Sequence, residues 1–248
     1  MKRNGLAVLM VGLLCALSAH ADAMGDALIE AAKTNNAAEA RRLIAEKANV
    51  NAKDDESRTA LMYAAVNNAV DVAKLLIAAG ADVNARKNDG MTALMYAASR
   101  NAVDAAKLLI AAGANVNAKD NDDWTALIYA ALYNAVDAAK LLIAASADVN
   151  AGDKDGDTAL MWAAGENAID AAKLLIASGA DVNAKDKDGV TALMSAAMYN
   201  AVDAAKLLIA SGANINAKDK NGKTALMWAV ACGSEDVVDV LLNAVGAR

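Results

Sequence analysis

Proline and phenylalanine are absent from this chain, histidine occurs once, cysteine occurs twice, and only 3% of the 248 residues are aromatic. A chain so poor in cysteine and histidine has few groups for disulfide bonds or for catalysis by an imidazole. Its hydrophobic content of 57% is nevertheless ample for a buried core. Because that content is mostly Ala, Leu, Val and Ile, it favours thin helices that pack closely together.

The N-terminus is typical of a secretory signal peptide. Lys2 and Arg3 precede an apolar run over residues 6–17, and small residues follow at Ala21 and Ala23. The run is shorter than the roughly 20 apolar residues that a membrane span needs. We therefore expect a signal peptide over residues 1–21, with cleavage after Ala23 as the second possibility, and a periplasmic or secreted protein. A buried N-terminal helix is the alternative interpretation.

Cleavage would change the chemistry of the chain, because residues 1–21 contain its only histidine, His20, and the cysteine Cys15. Two of the 24 basic residues also lie there, which leaves 22 basic against 30 acidic residues, a net charge of −8. Such a charge repels phosphate backbones and anionic membrane surfaces. We therefore expect no nucleic-acid partner and no membrane insertion. With Cys232 alone, no intramolecular disulfide can form.

Threonine recurs every 33 residues at positions 59, 92, 125, 158, 191 and 224, and each one opens nearly the same phrase. Three of the phrases are Thr59-Ala-Leu-Met-Tyr-Ala-Ala, Thr125-Ala-Leu-Ile-Tyr-Ala-Ala and Thr191-Ala-Leu-Met-Ser-Ala-Ala. The period and the phrase resemble the ankyrin repeat, whose usual phrase is Thr-Pro-Leu-His-x-Ala-Ala. The resemblance covers about residues 26–248. It implies an all-α solenoid in which each unit has two short helices and a tight turn.

Residues 26–53 fit the same frame, with Asp26 in the threonine position. Their second helix is unusually charged, as expected for a repeat whose outer face meets water. We therefore predict seven repeats in one domain over residues 22–248. The repeats begin at about residues 26, 54, 87, 120, 153, 186 and 219.

The units depart from the family phrase at the same places. Alanine replaces the proline, and an apolar residue replaces the histidine, which predicts core filling and the loss of the histidine's polar contacts. The residues at the histidine position are Met62, Met95, Ile128, Met161, Met194 and Met227. Between the two helices stands an asparagine such as Asn101. The sequence leaves open whether Asn101 ends the first helix in a left-handed conformation or caps the second.

Known catalytic and metal-binding patterns do not fit. Without histidine the mature chain cannot form a Ser-His-Asp or Cys-His pair, and we expect the many turn carboxylates to be solvated. Residues 153–157 resemble the start of a calcium loop, but Thr158 and Ala164 stand where such a loop has glycine and glutamate. We therefore expect no enzyme, no cofactor and no metal site. Cys232 is either a free, oxidisable thiol or an inert, partly buried one.

Partners of ankyrin proteins usually contact the turn tips and the exposed ends of the first helices along a concave face, and the resemblance implies the same here. These positions vary between repeats where the framework hardly does, and several carry large apolar groups of the kind found at binding hot spots. The candidate partner-binding residues are Met91, Arg100, Trp124, Leu132, Tyr133, Val190, Met198 and Tyr199. The alternative is that Leu132 and Met198 cover neighbouring helices while Tyr133 and Tyr199 half-expose their rings. The aromatic residues Tyr63, Tyr96, Tyr129, Trp162 and Trp228 are predicted to pack between repeats.

The sequence thus predicts a non-enzymatic protein–protein interaction module that works in the periplasm. A secreted effector that binds a host protein is the second interpretation, and a metal-binding or enzymatic protein is less favoured. Apolar residues over 237–245 follow the pattern of a packed helix, but no further repeat follows them. The part that repeat six does not cover is a candidate for a weak homodimer contact.

Overall fold

A computed structural model describes residues 23–246, and within these limits the chain forms seven helix pairs and no β-strand. The first helices of the pairs are α1 (23–33), α3 (Ala60–Val66), α5 (Ala93–Ser99), α7 (Ala126–Leu132), α9 (Ala159–Gly165), α11 (Ala192–Met198) and α13 (Ala225–Cys232). The second helices are α2 (Ala37–Ala45), α4 (Val70–Ala78), α6 (Val103–Ala111), α8 (Val136–Ala144), α10 (Ile169–Ala177), α12 (Val202–Ala210) and α14 (Glu235–Gly246). The predicted all-α repeat stack is confirmed. The predicted signal peptide lies outside the described residues, apart from the second possible cleavage position.

The threonine of each phrase starts a first helix. Thr92 has extended backbone angles, and its hydroxyl accepts a hydrogen bond from the Met95 amide at 3.4 Å. In return, the Thr92 amide donates to the Met95 sulfur, also at 3.4 Å. The same reciprocal pair opens α3 and α9. The expected loss of polar contacts at the histidine position is therefore wrong for these repeats, because a thioether sulfur is itself a weak acceptor.

Repeat one differs from the others at its start. Residue 26 lies inside α1, so Asp26 does not cap a helix as the threonines do. The charged second helix is arranged as predicted for an outer repeat. On its exposed side, Arg42 bonds both Glu39, at 2.6 Å, and Glu46, at 2.7 Å.

The asparagine between the helices fulfils both alternatives that the sequence left open. It ends the first helix in a left-handed conformation and caps a second helix, but that second helix belongs to the next repeat. Asn101 has a left-handed φ of 52°, which asparagine tolerates better than most residues. Its side-chain oxygen accepts a hydrogen bond from the Ala138 amide in the first turn of α8, at 2.9 Å. The N-cap residue of α8, Ala135, has no capping side chain of its own. Equivalent bonds join Asn68 to Ala105, Asn134 to Ala171, Asn167 to Ala204 and Asn200 to Val237.

Two further ladders connect the repeats through their turns. The Asn84 side chain accepts from the Asn115 amide at 2.8 Å, and four other repeat junctions have the same contact. Between turn tips the bonds run from backbone to backbone, as from the Lys187 amide to the Asp155 carbonyl at 2.8 Å. Each repeat is thus held at its turns as well as by its core.

The core runs along the whole stack and consists mostly of alanine and leucine. Met95 is fully buried in it, but Met227 is 54% exposed. The expectation that the whole methionine column fills the core is therefore wrong for Met227, which lies at the end of the described stack. Cys232 is exposed, so the partly buried alternative is also wrong. No helix within residues 23–246 combines the length and the apolarity needed to cross a membrane.

The bond between repeats gives a prediction for Asn101. Asn101→Gly removes the bond to Ala138 but keeps an easy left-handed conformation, and should lower the free energy of unfolding by about 1 kcal/mol. Asn101→Ala also imposes a strained conformation and should cost about 2–3 kcal/mol. Urea unfolding followed by circular dichroism measures both. Equal losses in the two variants would show that the backbone conformation contributes nothing.

Candidate functional site

Two grooves lie on the face formed by turn tips and first-helix ends, and they are related by two repeats. The first, named here the 3–4 groove, is lined by Val66, Met91, Tyr96, Ser99, Arg100, Tyr129 and Tyr133. The second, the 5–6 groove, has apolar walls formed by Met161, Trp162, Gly165, Val190, Met198 and Tyr199. Its remaining lining residues are Asp157, Glu166, Asp186 and Ser195.

The candidate residues predicted from sequence are divided between these grooves. Met91, Arg100 and Tyr133 line the 3–4 groove, and the 5–6 groove contains Val190, Met198 and Tyr199. Trp124 lies between the two grooves. The centre of its ring is 4.5 Å from the ring centre of Trp162 and 5.2 Å from the ring centre of Tyr129. Leu132 is half-buried. Six of the eight residues thus line two separate recesses, whereas Trp124 is part of an aromatic cluster.

Three of the turn carboxylates are not solvated as expected, whereas others, such as Asp122 and Asp188, are exposed. Asp120 is 8%, Asp153 9% and Asp219 7% exposed. One oxygen of Asp153 accepts from the amides of Asp155 and Asp157, both at 2.9 Å. This bonding fixes the turn and explains why residues 153–157 resemble a calcium loop without needing a cation to order them.

The second oxygen of these turn carboxylates accepts a hydrogen bond from an aromatic side chain nine residues later. Trp162 donates from its indole to Asp153 at 3.2 Å, and Tyr129 donates from its hydroxyl to Asp120 at 2.7 Å. Tyr63 with Asp54 and Trp228 with Asp219 form the same pair. Burial, together with the bond to Asp120, raises the pKa of Tyr129. The predicted packing role of four of the five aromatics therefore includes a specific hydrogen bond within the repeat, whereas Tyr96 has Lys87 in the aspartate position.

Repeat six has the carboxylate but not the aromatic donor. Asp186 accepts from the amides of Asp188, at 2.8 Å, and Val190, at 2.7 Å. Nine residues after Asp186 stands Ser195, whose hydroxyl bonds the Thr191 carbonyl instead. Ser195 lines the 5–6 groove, whose cavity volume is about 160 Å³, whereas the 3–4 groove, with Tyr129 in the equivalent position, has about 320 Å³.

The charges at the two grooves are opposite. Arg100 is the one charged residue lining the 3–4 groove, whereas three carboxylates and no Lys or Arg line the 5–6 groove. Burial raises the pKa of Asp157 to about 6, and the nearby charges of Asp153 and Asp186 add to the effect. The 5–6 groove is therefore a place of strongly negative potential against an apolar wall.

Sequence reasoning missed this acidic groove, although one signal was visible. Asp157 stands at a turn tip and Glu166 at a first-helix end, but the sequence prediction rests on large apolar groups at such positions and does not include these two acids. The break in the aromatic column at Ser195 was also present in the repeat phrase. That break predicts an unbonded carboxylate oxygen only when it is known that the aromatic side chain donates a hydrogen bond to the turn aspartate, and the sequence alone does not indicate this bond.

The raised pKa of Asp157 predicts a pH-dependent effect on stability. An acid whose pKa is higher in the folded state than in the unfolded state destabilises the fold as pH rises from the lower of these two pKa values to the higher one. Asp157→Asn should therefore raise the melting temperature at about pH 7.5 and have a much smaller effect at about pH 4.5. Thermal unfolding of both proteins at the two pH values measures this. A gain of equal size at both would show that ionisation of Asp157 is not its cause.

Comparison with known proteins agrees with the observed architecture. A family model described as ankyrin repeats in three copies matches overlapping segments at residues 5–87, 28–120, 80–153, 120–186 and 160–248. No curated protein matches the chain. The matched segments cover nearly the whole sequence, and from α3 onward the first helices of the pairs begin every 33 residues. The chain therefore belongs to the family of ankyrin repeat proteins.

Proposed function

We propose that this protein is a non-enzymatic interaction module that binds a partner protein through the two grooves and the turn tips beside them. One observation carries the proposal. Among the large apolar side chains that are exposed in the described structure, only Tyr133, at 60%, and Tyr199, at 70%, lie outside repeat seven. Both are at first-helix ends and both line a groove. Exposed aromatic groups beside recesses are typical anchors of protein interfaces.

The stack supports this role because its contact face is ordered before binding. Hydrogen bonds between successive repeats fix the turns and second helices, and the buried alanines fix the spacing of the first helices. A surface that is already ordered loses less conformational entropy when a partner binds. The ankyrin family, whose known members typically act by binding rather than by catalysis, agrees with the proposal.

The proposal predicts that truncation of the two exposed rings weakens partner capture. Tyr133→Ala with Tyr199→Ala should weaken the affinity for the captured partner about a hundredfold or more, because hot-spot aromatics contribute about 2 kcal/mol each. Trp124 is left unchanged, because its ring packs against Trp162. The measurement is affinity capture from an envelope extract, with the bound proteins quantified by mass spectrometry.

A matched control removes two large exposed side chains from the second helices. Lys107→Ala with Lys140→Ala changes α6 and α8 at positions away from both grooves. Its capture should equal that of the wild type, and the thermal stability of both double variants should be unchanged. Equal capture by the wild type and by the tyrosine variant would show that the partner does not bind the proposed surface.

The proposal places the protein in the periplasm, with a secreted effector of a host protein as the alternative. It rests on the signal-like pattern of the N-terminus. When the full chain is expressed, protein recovered from the periplasm should begin at Asp22, or at Met24 if cleavage follows Ala23. N-terminal sequencing measures this, and Leu13→Arg, which interrupts the apolar run, should prevent both export and cleavage. A periplasmic protein that still begins at Met1 would contradict cleavage.

A weak contact between two copies at the end of repeat seven also belongs to the proposal. It is supported by the exposed apolar side chains of Met227, Val230, Leu242 and Val245. Sedimentation at rising protein concentration detects such a contact.

A further inference from the structure

The 5–6 groove is lined by Ser195 at the position where most other repeats have an aromatic side chain. In repeats two, four, five and seven, an aromatic ring fills the place beside the turn and donates a hydrogen bond to the second carboxylate oxygen of the turn aspartate. Repeat six retains the aspartate, Asp186, but has Ser195 in place of the ring. Among the described residues, nothing donates to the second oxygen of Asp186. The 5–6 groove thus has room for a hydrogen-bond donor and an acceptor that lacks one.

The same face shows how a cation fits beside such a ring. In repeat seven, the Lys223 ammonium lies 4.0 Å from the centre of the Trp228 ring. In repeat two, the Arg58 guanidinium lies 5.1 Å from the Tyr63 ring. Each cation occupies the turn tip five residues before the ring. The equivalent pair in repeat five is Asp157 and Trp162, so here the tip supplies a carboxylate and the cation is missing.

Charge limits the chemistry of an occupant. Asp157, Glu166 and Asp186 line the recess without a compensating Lys or Arg. Burial already raises the pKa of Asp157 to about 6, so a cation placed there would relieve an unfavourable ionisation. A neutral aromatic ring would fill the space but leave the carboxylates unpaired.

We propose that the 5–6 groove binds an arginine side chain of the partner protein. This inference rests on the proposed function and specifies the chemistry of the partner. The guanidinium would lie against Trp162 and donate to the free oxygen of Asp186, with Asp157 and Glu166 completing the negative surroundings. The ring of Tyr199 would form the outer wall. It can lie close over α9 because residue 165 is glycine: a Cβ there would come within 3.2 Å of the Tyr199 ring.

Arginine fits this recess better than lysine. Its guanidinium is planar, stacks on aromatic faces and offers several donors to separate carboxylates, whereas an ammonium is a compact and more strongly hydrated point charge. The position that it would fill is occupied in other repeats by a flat ring with an O–H or N–H donor, so a flat donor group reproduces the bonding seen there. The 3–4 groove should not bind arginine, because Arg100 stands in the position of Glu166 and Tyr129 already donates to the turn carboxylate of Asp120.

The test is a titration of ¹⁵N-labelled protein with acetyl-Gly-Arg-Gly-amide, followed by NMR. The Trp162 indole and the amides of Gly165 and Glu166 should shift in a saturable manner. The equivalent amides of Ser99 and Arg100 in the 3–4 groove are the internal control and should not shift. The same peptide with citrulline, a neutral and nearly isosteric residue, should bind about tenfold more weakly or not at all.

Two variants locate the binding at the recess. Ser195→Tyr should remove the shifts, because the ring fills the cavity and donates to Asp186. The fold accommodates this residue, since Tyr129 occupies the equivalent place in repeat four beside Tyr133. If the larger side chain disturbs folding, Asp186→Asn tests the same contact, because an asparagine oxygen still accepts the turn amides. This variant should weaken binding of the arginine peptide about tenfold.

Several results would overturn the assignment. They are the absence of shifts with the arginine peptide, equal binding of the citrulline peptide, stronger binding of a tyrosine or lysine peptide, or unchanged binding by Ser195→Tyr. None of these affects the broader proposal, whose test is the loss of partner capture in the tyrosine variant. If capture is lost in that variant but the arginine peptide does not bind, the face binds a partner through other groups.

Discussion

The repeats of this protein are incomplete on their own, because the asparagine that ends one first helix caps a second helix in the following repeat. Asn101 reaches the amide of Ala138 across 37 positions of the sequence, and α8 has no cap from its own neighbours. A repeat that separated from its neighbour would leave an amide donor unpaired at the start of a helix. The relative position of adjacent repeats is therefore specified by hydrogen bonds with definite directions, in addition to the close packing of small side chains.

This constraint explains why variation is concentrated on one face. The threonine, asparagine, alanine and leucine positions are committed to caps and to the core, so they can hardly differ between repeats. The side chains at the turn tips and first-helix ends cap no helix and are at most partly buried, even where Met91, Trp124 and Val190 pack against the core, so they can change without loss of the stack. Arg100 and Glu166 occupy equivalent positions two repeats apart, and they give the 3–4 and 5–6 grooves opposite charge. A rigid framework with variable tips can thus present different chemistry at fixed intervals.

The period and the phrase were sufficient to predict the fold, because each local signal agrees with the others: threonine starts a helix, apolar residues recur on one face and glycine or asparagine ends it. The errors occurred where a residue's state depends on another repeat or on atoms outside its own helix. The burial of Asp153 depends on backbone donors and on an indole nine residues away. The exposure of Met227 depends on its place at the end of the described stack. The same limit applies to the site: exposed aromatics such as Tyr199 could be selected from the pattern, but the acidic recess beside it required the contacts.

Ser195 is informative because the other repeats define what its position normally contributes. A ring in this place packs against the turn and satisfies a carboxylate, and loss of a large side chain from a packed site usually costs about 3–5 kcal/mol. The cost is smaller here, since the site opens to solvent and Asp186 can be hydrated. The serine nevertheless leaves one oxygen of a partly buried carboxylate without a protein donor on the contact face, beside two further carboxylates. A substitution that weakens the framework beside three carboxylates, with no Lys or Arg lining the groove, is more readily explained by a ligand group than by stability.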